Sequence, residues 1–91
     1  MRYGWDEDKR QENLRRHGLD FMDAERVFAG PTVLKVDDRF DYGEDRFMSL
    51  GFLDGRVVSV VHTETDEMIR IISLRKASKR EEAIYFEEIA N

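Results

Sequence analysis

The hydrophobic positions divide the chain into three parts with different periodicities. In the first part, apolar residues are few and recur at helical spacing, as at Phe21, Ala24 and Phe28. The middle part is rich in β-branched residues, and its segment Arg56–Ala77 is the most hydrophobic of the chain. After Ser78 the apolar residues return to helical spacing. The pattern predicts helices first, then strands, then a final helix.

Two helices are predicted before the first long strand. Asp6 and Gly18 have the residue types of an N-cap and a left-handed C-cap, and they predict a helix over Glu7–His17. Only Leu14 is strongly apolar between these ends. This helix is therefore either held at its edge or covers apolar surface with the stems of its long side chains. Asp20 begins the second helix by the same capping logic, and a glycine–proline pair ends it.

The strands are predicted on both sides of a tight turn. Asp54 and Gly55 suit the primed turn of a two-residue hairpin, so the strands that flank them pair antiparallel. The short segment Tyr3–Trp5 is a candidate strand that brings its tryptophan into the core, and the acidic stretch Asp37–Asp45 predicts an exposed loop. The four main strands are predicted at Thr32–Val36, Arg46–Leu53, Arg56–Thr63 and Met68–Lys76.

The last helix begins with a capping box, in which Ser78 is the N-cap and Glu81 reaches back to it. Its apolar positions are Ala83, Phe86 and Ala90, with Tyr85 and Ile89 beside them. The predicted fold is a single α+β domain over residues 1–91. It has two N-terminal helices, a four-stranded and mainly antiparallel β-meander, and a C-terminal helix, with the helices mainly covering one sheet face.

Composition narrows the function classes. The chain has 91 residues without cysteine, which excludes disulfides and thiolate metal sites. Its net charge of −5 argues against a general nucleic-acid coat but allows a local basic site. No apolar run approaches the ~20 residues of a membrane span, and the first residues lack the apolar stretch of a signal peptide. We therefore expect a soluble cytoplasmic protein with no membrane contact.

The last predicted strand carries an unusual number of cations for a core strand. Arg75 and Lys76 lie at its C-terminal end, where the capped helix begins with Lys79 and Arg80. Guanidinium groups beside helix N–H donors suit a phosphate oxygen. Alternatively, these cations only mark a strand end, and Arg70 pairs with a carboxylate of the acidic loop. Alternation assigns one face to Ile69, Ile71, Ser73 and Arg75, and the other to Arg70, Ile72, Leu74 and Lys76.

Three further residues are candidates for chemistry or for structure. His62 ends its strand and can act as a general acid or base, or it is simply an amphipathic surface residue. Glu81 has a structural task in the capping box, and Tyr85 is expected to be half-buried with its hydroxyl able to reach polar neighbours. His17 is assigned to structure, as a cation at a helix C-terminus. No metal-binding spacing and no glycine-rich phosphate loop is present, so we expect neither a metal nor a cofactor.

The chain resembles the BrnT toxins over nearly its whole length. The matching positions of the N-terminal signature are Trp5, Asp6, Lys9, Asn13, Arg16, His17, Gly18, Leu19, Phe21, Ala24, Val27 and Phe28. Those of the middle and C-terminal blocks are Arg46, Leu50, Gly51, Val60, Val61, His62, Thr63, Glu64, Arg70, Ile71, Ile72, Ser73, Arg75, Lys76, Ala77 and Glu81. Two positions depart from the family pattern: Thr65 stands where arginine is usual, and Leu74 where alanine is usual.

The resemblance implies a toxin of a bacterial type II toxin–antitoxin pair. Such toxins have a RelE-like fold and a ribonuclease activity that blocks translation. Their antitoxin, BrnA, neutralises them and carries a DNA-binding domain, so that the hetero-oligomeric complex represses its own operon. DNA is then contacted only through the antitoxin. The helix, sheet and helix order predicted from the residues agrees with this fold.

For an RNA substrate, the nucleophile is the substrate's own 2′-hydroxyl. A small toxin then mainly aligns this oxygen and stabilises the charge on the phosphate, without a metal ion. The candidates for the phosphate are Arg70, Arg75 and Lys76; for proton transfer they are His62 and, more weakly, Glu81 or Tyr85; for further RNA contacts they are Lys79, Arg80 and Arg46. The competing interpretation is a non-catalytic interaction module whose cationic strand end docks an acidic or DNA-binding partner.

Overall fold

Three helices and five strands make up the chain in this computed structural model, which describes residues 2–37 and 43–90. Several predicted bounds are confirmed, among them those of the first helix and of the last strand. A 3-10 turn at Phe21–Asp23 precedes the second helix. In chain order the elements are β1 (Arg2–Trp5), α1 (Glu7–His17), α2 (Ala24–Phe28), β2 (Val33–Asp37), β3 (Arg46–Leu53), β4 (Arg56–Glu64), β5 (Met68–Lys76) and α3 (Lys79–Ala90).

The ends of α1 form as the capping residues predict. The Asp6 carboxylate accepts hydrogen bonds from the backbone N–H groups of Asp8 and Lys9. At the other end Gly18 adopts φ 70° and donates its N–H to the Leu14 carbonyl. A left-handed φ favours glycine because a Cβ would be strained there. Local chemistry alone therefore sets both ends of this helix.

The sheet has five strands in the order β1-β5-β4-β3-β2. The prediction of four strands is wrong, because β1 joins the sheet as an edge strand parallel to β5, from Arg2 opposite Met68 to Trp5 opposite Ile71. The other pairings are antiparallel, as predicted. The segment Tyr3–Trp5 was a candidate strand, but local sequence does not identify a parallel partner that lies more than 60 residues away, so its place in the sheet was missed.

Helices pack on both sides of the sheet, which corrects the expectation that they cover mainly one. The side that carries Val58, Val60 and Leu74 packs under the 3-10 turn and α2, and we call it the α2 face. The opposite side carries Leu50 and Val57 and packs under α3; we call it the α3 face. The core is therefore split into two layers by the sheet.

A β-bulge interrupts β5 and changes which side chains share a face. Val61 pairs with Ser73 and His62 pairs with Ile71, so Ile72 is the extra residue of the bulge. Strict alternation would place Leu74 with Arg70, but Leu74 packs in the same core cluster as Ile69 and Ile71. That predicted face assignment is wrong.

Past the point where β1 ends, the edge of β5 is paired with a side chain of α1 and not with a strand. Asn13 of α1 donates to the Leu74 carbonyl at 2.8 Å and accepts from the Leu74 N–H at 3.2 Å. Its amide nitrogen also donates to the Leu19 carbonyl. The sequence left two alternatives for α1, and the structure shows that the helix is held at its edge. Its one strongly apolar residue, Leu14, remains 41% exposed. Asn13 supplies the backbone partners that a neighbouring strand would give.

The α3 helix packs through a different side from the one predicted. Its capping box forms, with Ser78 Oγ accepting from the Glu81 N–H and Glu81 Oε1 accepting from the Ser78 N–H. Tyr85 is buried and donates its hydroxyl to the Pro31 carbonyl at 3.0 Å. Phe86, on the predicted apolar stripe, is 46% exposed, as Ala83 and Ala90 are exposed. Because Glu81 is bonded to Arg75 of the sheet, Tyr85, four positions later on the same helix side, faces the core.

The predicted acidic loop begins later than expected. Asp37 is the last residue of β2 and is buried, while Gly43, Glu44 and Asp45 are exposed. The remainder of that prediction, residues 38–42, lies outside the described residues. Among the helices described, none has the length and apolar character needed to cross a membrane.

Candidate functional site

Three arginines of two strands lie on the α3 face of the sheet. The cross-strand pairs of β5 are Thr63 with Arg70, Val61 with Ser73, and Ser59 with Arg75. Because paired residues project to the same face, the bulge brings Arg70, Ser73 and Arg75 onto one side, which sequence alternation had divided. Arg46 of β3 shares this side, since it alternates in step with Met48 and Leu50 under α3. We call Arg46, Arg70, Ser73 and Arg75 the arginine face.

Arg75 is held in place by a carboxylate of α3. Its Nη1 and Nη2 donate to the two oxygens of Glu81 at 2.8 and 3.0 Å, a bidentate pair. This guanidinium, together with the Ser78 N–H, lowers the pKa of Glu81 to about 2. Glu81 is therefore ionised at neutral pH and bonded through both oxygens. Its contacts in the capping box and with Arg75 give this residue a structural role.

Arg70 is open to solvent, in contrast to Arg75. It is exposed at the centre of β5, near the partly exposed Ser73. No carboxylate of the described residues forms an ion pair with Arg70, and residues 38–42 of the acidic loop lie outside the described chain. An exposed guanidinium on a sheet face is free to form a fork of hydrogen bonds with an incoming phosphate.

The other predicted cations lie near the start of α3. Lys79 and Arg80 are exposed in its first turn. Lys76 is exposed at the end of β5 and lines a separate cavity of about 240 Å³ with Phe52 and Phe86. These three follow Arg75 along the chain, and they are not part of the arginine face.

His62 is buried on the other side of the sheet. Its expected place on the surface is wrong, because the residue is 0% exposed and packs edge-on against Phe28 with ring centroids 5.0 Å apart. Nε2 lies 2.8 Å from Ser49 Oγ, while Nδ1 has no hydrogen bond although Glu64 Oε1 lies 3.4 Å away. Burial lowers the pKa of His62 to about 4, so the imidazole is neutral at neutral pH.

Of the predicted proton-transfer residues, only Glu81 is brought together with a predicted phosphate ligand, Arg75. His62 is on the α2 face, with the sheet between its ring and Arg70. Tyr85 is the buried residue of α3, and its hydroxyl donates to the Pro31 carbonyl. Of the predicted cations, the arginines of β3 and β5 share one face of the sheet, and Arg70 is the exposed one among them. Within residues 2–37 and 43–90, no three His, Asp or Glu side chains form a group that could hold a metal ion.

A basic crevice beside the arginine face was missed by the sequence interpretation. It lies between α1 and the bulge of β5 and has a volume of about 240 Å³. Its lining residues are Lys9, Glu12, Asn13, Arg16, His17, Ile72 and Ser73. The signal was present, since Lys9, Asn13 and Arg16 recur at i, i+4 and i+7 on one helix side. Lys9 and Arg16 had been assigned to covering apolar surface and His17 to the helix C-terminus, and Asn13 had been given no structural role.

Comparison with known proteins identifies one family. Residues 5–81 match the sequence model of a family described as the ribonuclease toxin, BrnT, of type II toxin–antitoxin systems. The match begins at the last residue of β1 and ends at Glu81 in the first turn of α3. It therefore includes the arginine face and the basic crevice. No curated protein matches the chain.

Proposed function

This chain belongs to the BrnT family of ribonuclease toxins of type II toxin–antitoxin systems, and on that premise we propose that it is a metal-independent endoribonuclease acting on its arginine face. The observation that carries the proposal is the bulge at Ile72. It aligns Arg70, Ser73 and Arg75 on one side of β5, with Arg46 two strands away. Clustered guanidinium groups are suited to phosphate, which RNA presents at every nucleotide.

The proposed reaction is an internal transesterification of RNA. The 2′-oxygen attacks the adjacent phosphorus and loses its proton; the P–O5′ bond breaks, and O5′ gains a proton. The products are a 2′,3′-cyclic phosphate and a free 5′-hydroxyl. In this reaction Arg70 binds the phosphate oxygens and stabilises the charge that develops on them. Arg75, held by Glu81, contributes fixed positive charge, and Ser73 is a hydroxyl donor within the same face.

His62 and Tyr85 are left out of this mechanism. Both are buried, and both already have structural contacts, with Ser49 and with the Pro31 carbonyl respectively. Glu81 acts here as a positioning residue for Arg75. Lys76, Lys79, Arg80 and Arg46 are proposed to extend RNA binding along the surface next to the reacting phosphate.

The partners proposed follow from the family. A type II toxin implies an antitoxin protein and an RNA substrate. We propose that a BrnA-like antitoxin with a DNA-binding domain forms a hetero-oligomer with this chain in the cytoplasm. The antitoxin would neutralise the ribonuclease, and the complex would repress its own operon. Free toxin would inhibit translation by cleaving RNA.

The test is cleavage of a single-stranded RNA by the purified chain, with Arg70→Ala compared with Arg26→Ala. Both arginines are exposed, but Arg26 lies on α2, on the opposite side of the sheet from the arginine face. We expect Arg70→Ala to lower kcat/KM on the order of 100-fold, as when one preorganised donor to a reacting oxyanion is lost. Arg26→Ala should retain wild-type activity.

Two outcomes oppose the proposal. If the wild-type chain neither cleaves RNA nor arrests growth when expressed without its antitoxin, the chain is an interaction module and not an enzyme. If cleavage proceeds but stops in EDTA, the metal-independent mechanism is wrong. Cyclic-phosphate ends on the products, detected by mass spectrometry, identify the transesterification.

A further inference from the structure

We infer that the basic crevice between α1 and the β5 bulge is a second phosphate subsite, which binds the RNA backbone next to the phosphate on the arginine face. This inference rests on the proposed function for the identity of the ligand as RNA. It concerns a different group of residues, Lys9, Arg16 and His17, which take no part in the proposed reaction.

Among the described residues, the basic side chains of the crevice have no carboxylate partner of their own. Two other arginines of the N-terminal half are paired: Arg10 bonds Glu7 and Asp20, and Arg26 bonds Asp23 and Asp54. By contrast, no carboxylate in the described parts of the chain forms an ion pair with Lys9, Arg16 or His17. Unpaired cations around a concave surface attract an anion such as phosphate.

The crevice is held rigidly in a position beside the arginine face. Asn13, in its wall, bonds the Leu74 backbone through both ends of its amide, which fixes α1 against β5. Lys9 and Arg16 are seven residues apart on one helix side, about 10 Å along the axis. Ser73 lines the crevice and also projects beside Arg70 and Arg75. One strand of RNA crossing Ser73 therefore meets both groups of cations.

The charge distribution over the whole chain directs RNA toward the α1 side. The net charge is −5, and α3 carries Glu87 and Glu88 in its second half with no basic residue in its last turn. A polyanion leaving the arginine face is repelled by the acidic second half of α3 and attracted by the cations of α1. Glu12 is the one acid among the crevice residues, and its carboxylate opposes phosphate binding.

The experiment measures binding of a single-stranded 2′-O-methyl RNA, which lacks the nucleophile, by fluorescence anisotropy with the full chain. The test variant is Lys9→Ala with Arg16→Ala; the control is Arg15→Ala, an exposed cation of the same helix outside the crevice. We expect the double variant to raise Kd on the order of 10-fold or more. Its slope of log K against log salt should fall by about 0.7 for each phosphate that the variant no longer neutralises.

A second variant gives an effect of opposite sign. Glu12→Gln removes the negative charge from the crevice at constant size, and we expect it to tighten RNA binding by roughly 2- to 5-fold. All of these side chains are exposed, and circular dichroism checks that each variant is folded.

The outcomes separate this inference from the proposed function. If the double variant binds RNA as Arg15→Ala does, the crevice is not a subsite, whatever the chain does to RNA. If binding depends on the crevice but the wild-type chain does not cleave RNA, the subsite stands and the proposed enzyme fails. If the double variant keeps its RNA affinity but loses affinity for an acidic protein partner, the crevice is a protein-docking site and the inference is overturned.

Discussion

Burial keeps the imidazole of His62 uncharged at neutral pH. The ring is surrounded by Phe28 and Phe47, and only Nε2 has a hydrogen-bond partner, Ser49. The folded state lowers the pKa from the ordinary 6.5 to about 4, so the unfolded chain binds a proton more readily between these values. The unfolded state is therefore favoured as the pH falls through this window, and the stabilisation by neutral His62 is lost.

The prediction at this residue is a pH-dependent stability. Between pH 7 and pH 5 we expect the free energy of unfolding to fall by about 2 kcal/mol through His62 alone. His62→Gln has no titrating group, so its stability should change less over the same interval. Urea unfolding of both proteins at the two pH values measures the difference. Equal pH dependence in the two would show that folding leaves the pKa of His62 unchanged. Glu81, with its pKa of about 2, loses its stabilising charge only at lower pH.

At the scale of elements, the packing of α1 on β5 depends on one polar side chain. We expect Asn13→Ala to destabilise the fold by about 2–4 kcal/mol, because it leaves the buried N–H and carbonyl of Leu74 without partners. Gln11→Ala, at an exposed position of the same helix, should change stability by less than about 0.5 kcal/mol. Chemical denaturation measures both, and the Leu74 amide should exchange faster with solvent in the first. Similar stabilities for the two variants would mean that water replaces the Asn13 hydrogen bonds.

Elements with local signals were predictable, and those that depend on distant partners were not. Asp6 and Gly18 determine both ends of α1 by hydrogen bonds within four residues, and Asp54 and Gly55 form their turn with positive φ at both positions. The parallel pairing of β1 and the extra residue Ile72 depend on where β5 meets other strands. No composition signal marks either feature.

The same reasoning applies to the candidate site. The arginines were identified from their number in one strand, but their common face was not, since the bulge changes the alternation after Ile71. His62 was predicted to lie near them because it is one hairpin away in sequence, and the unperturbed pKa of histidine suits proton transfer near neutral pH. On β3 its cross-strand partner is Phe47, whose ring packs against the imidazole on the α2 face. This packing determines the role of His62.

For the molecule as a whole, the sheet separates the larger core cluster from the residues proposed to act on RNA. The α2 face contains the larger core cluster, whereas the arginines project from the α3 face. A substitution confined to the α2 face should therefore change stability without changing the reaction. Gly51 offers such a site, because a Cβ added there would overlap the Val27 side chain of α2.

We expect Gly51→Ala to lower the free energy of unfolding by about 1–3 kcal/mol through overpacking. Gly30→Ala is the matched control, since the nearest atom to its new Cβ, the Val27 carbonyl oxygen, is 3.9 Å away. Well below the melting temperature, both variants should cleave RNA with the wild-type kcat/KM, because the arginine face is unchanged. Thermal unfolding and cleavage kinetics on the same preparations provide the measurement. A Gly51→Ala protein that is stably folded but has no cleavage activity would show that α2 packing and the arginine face are coupled through the sheet.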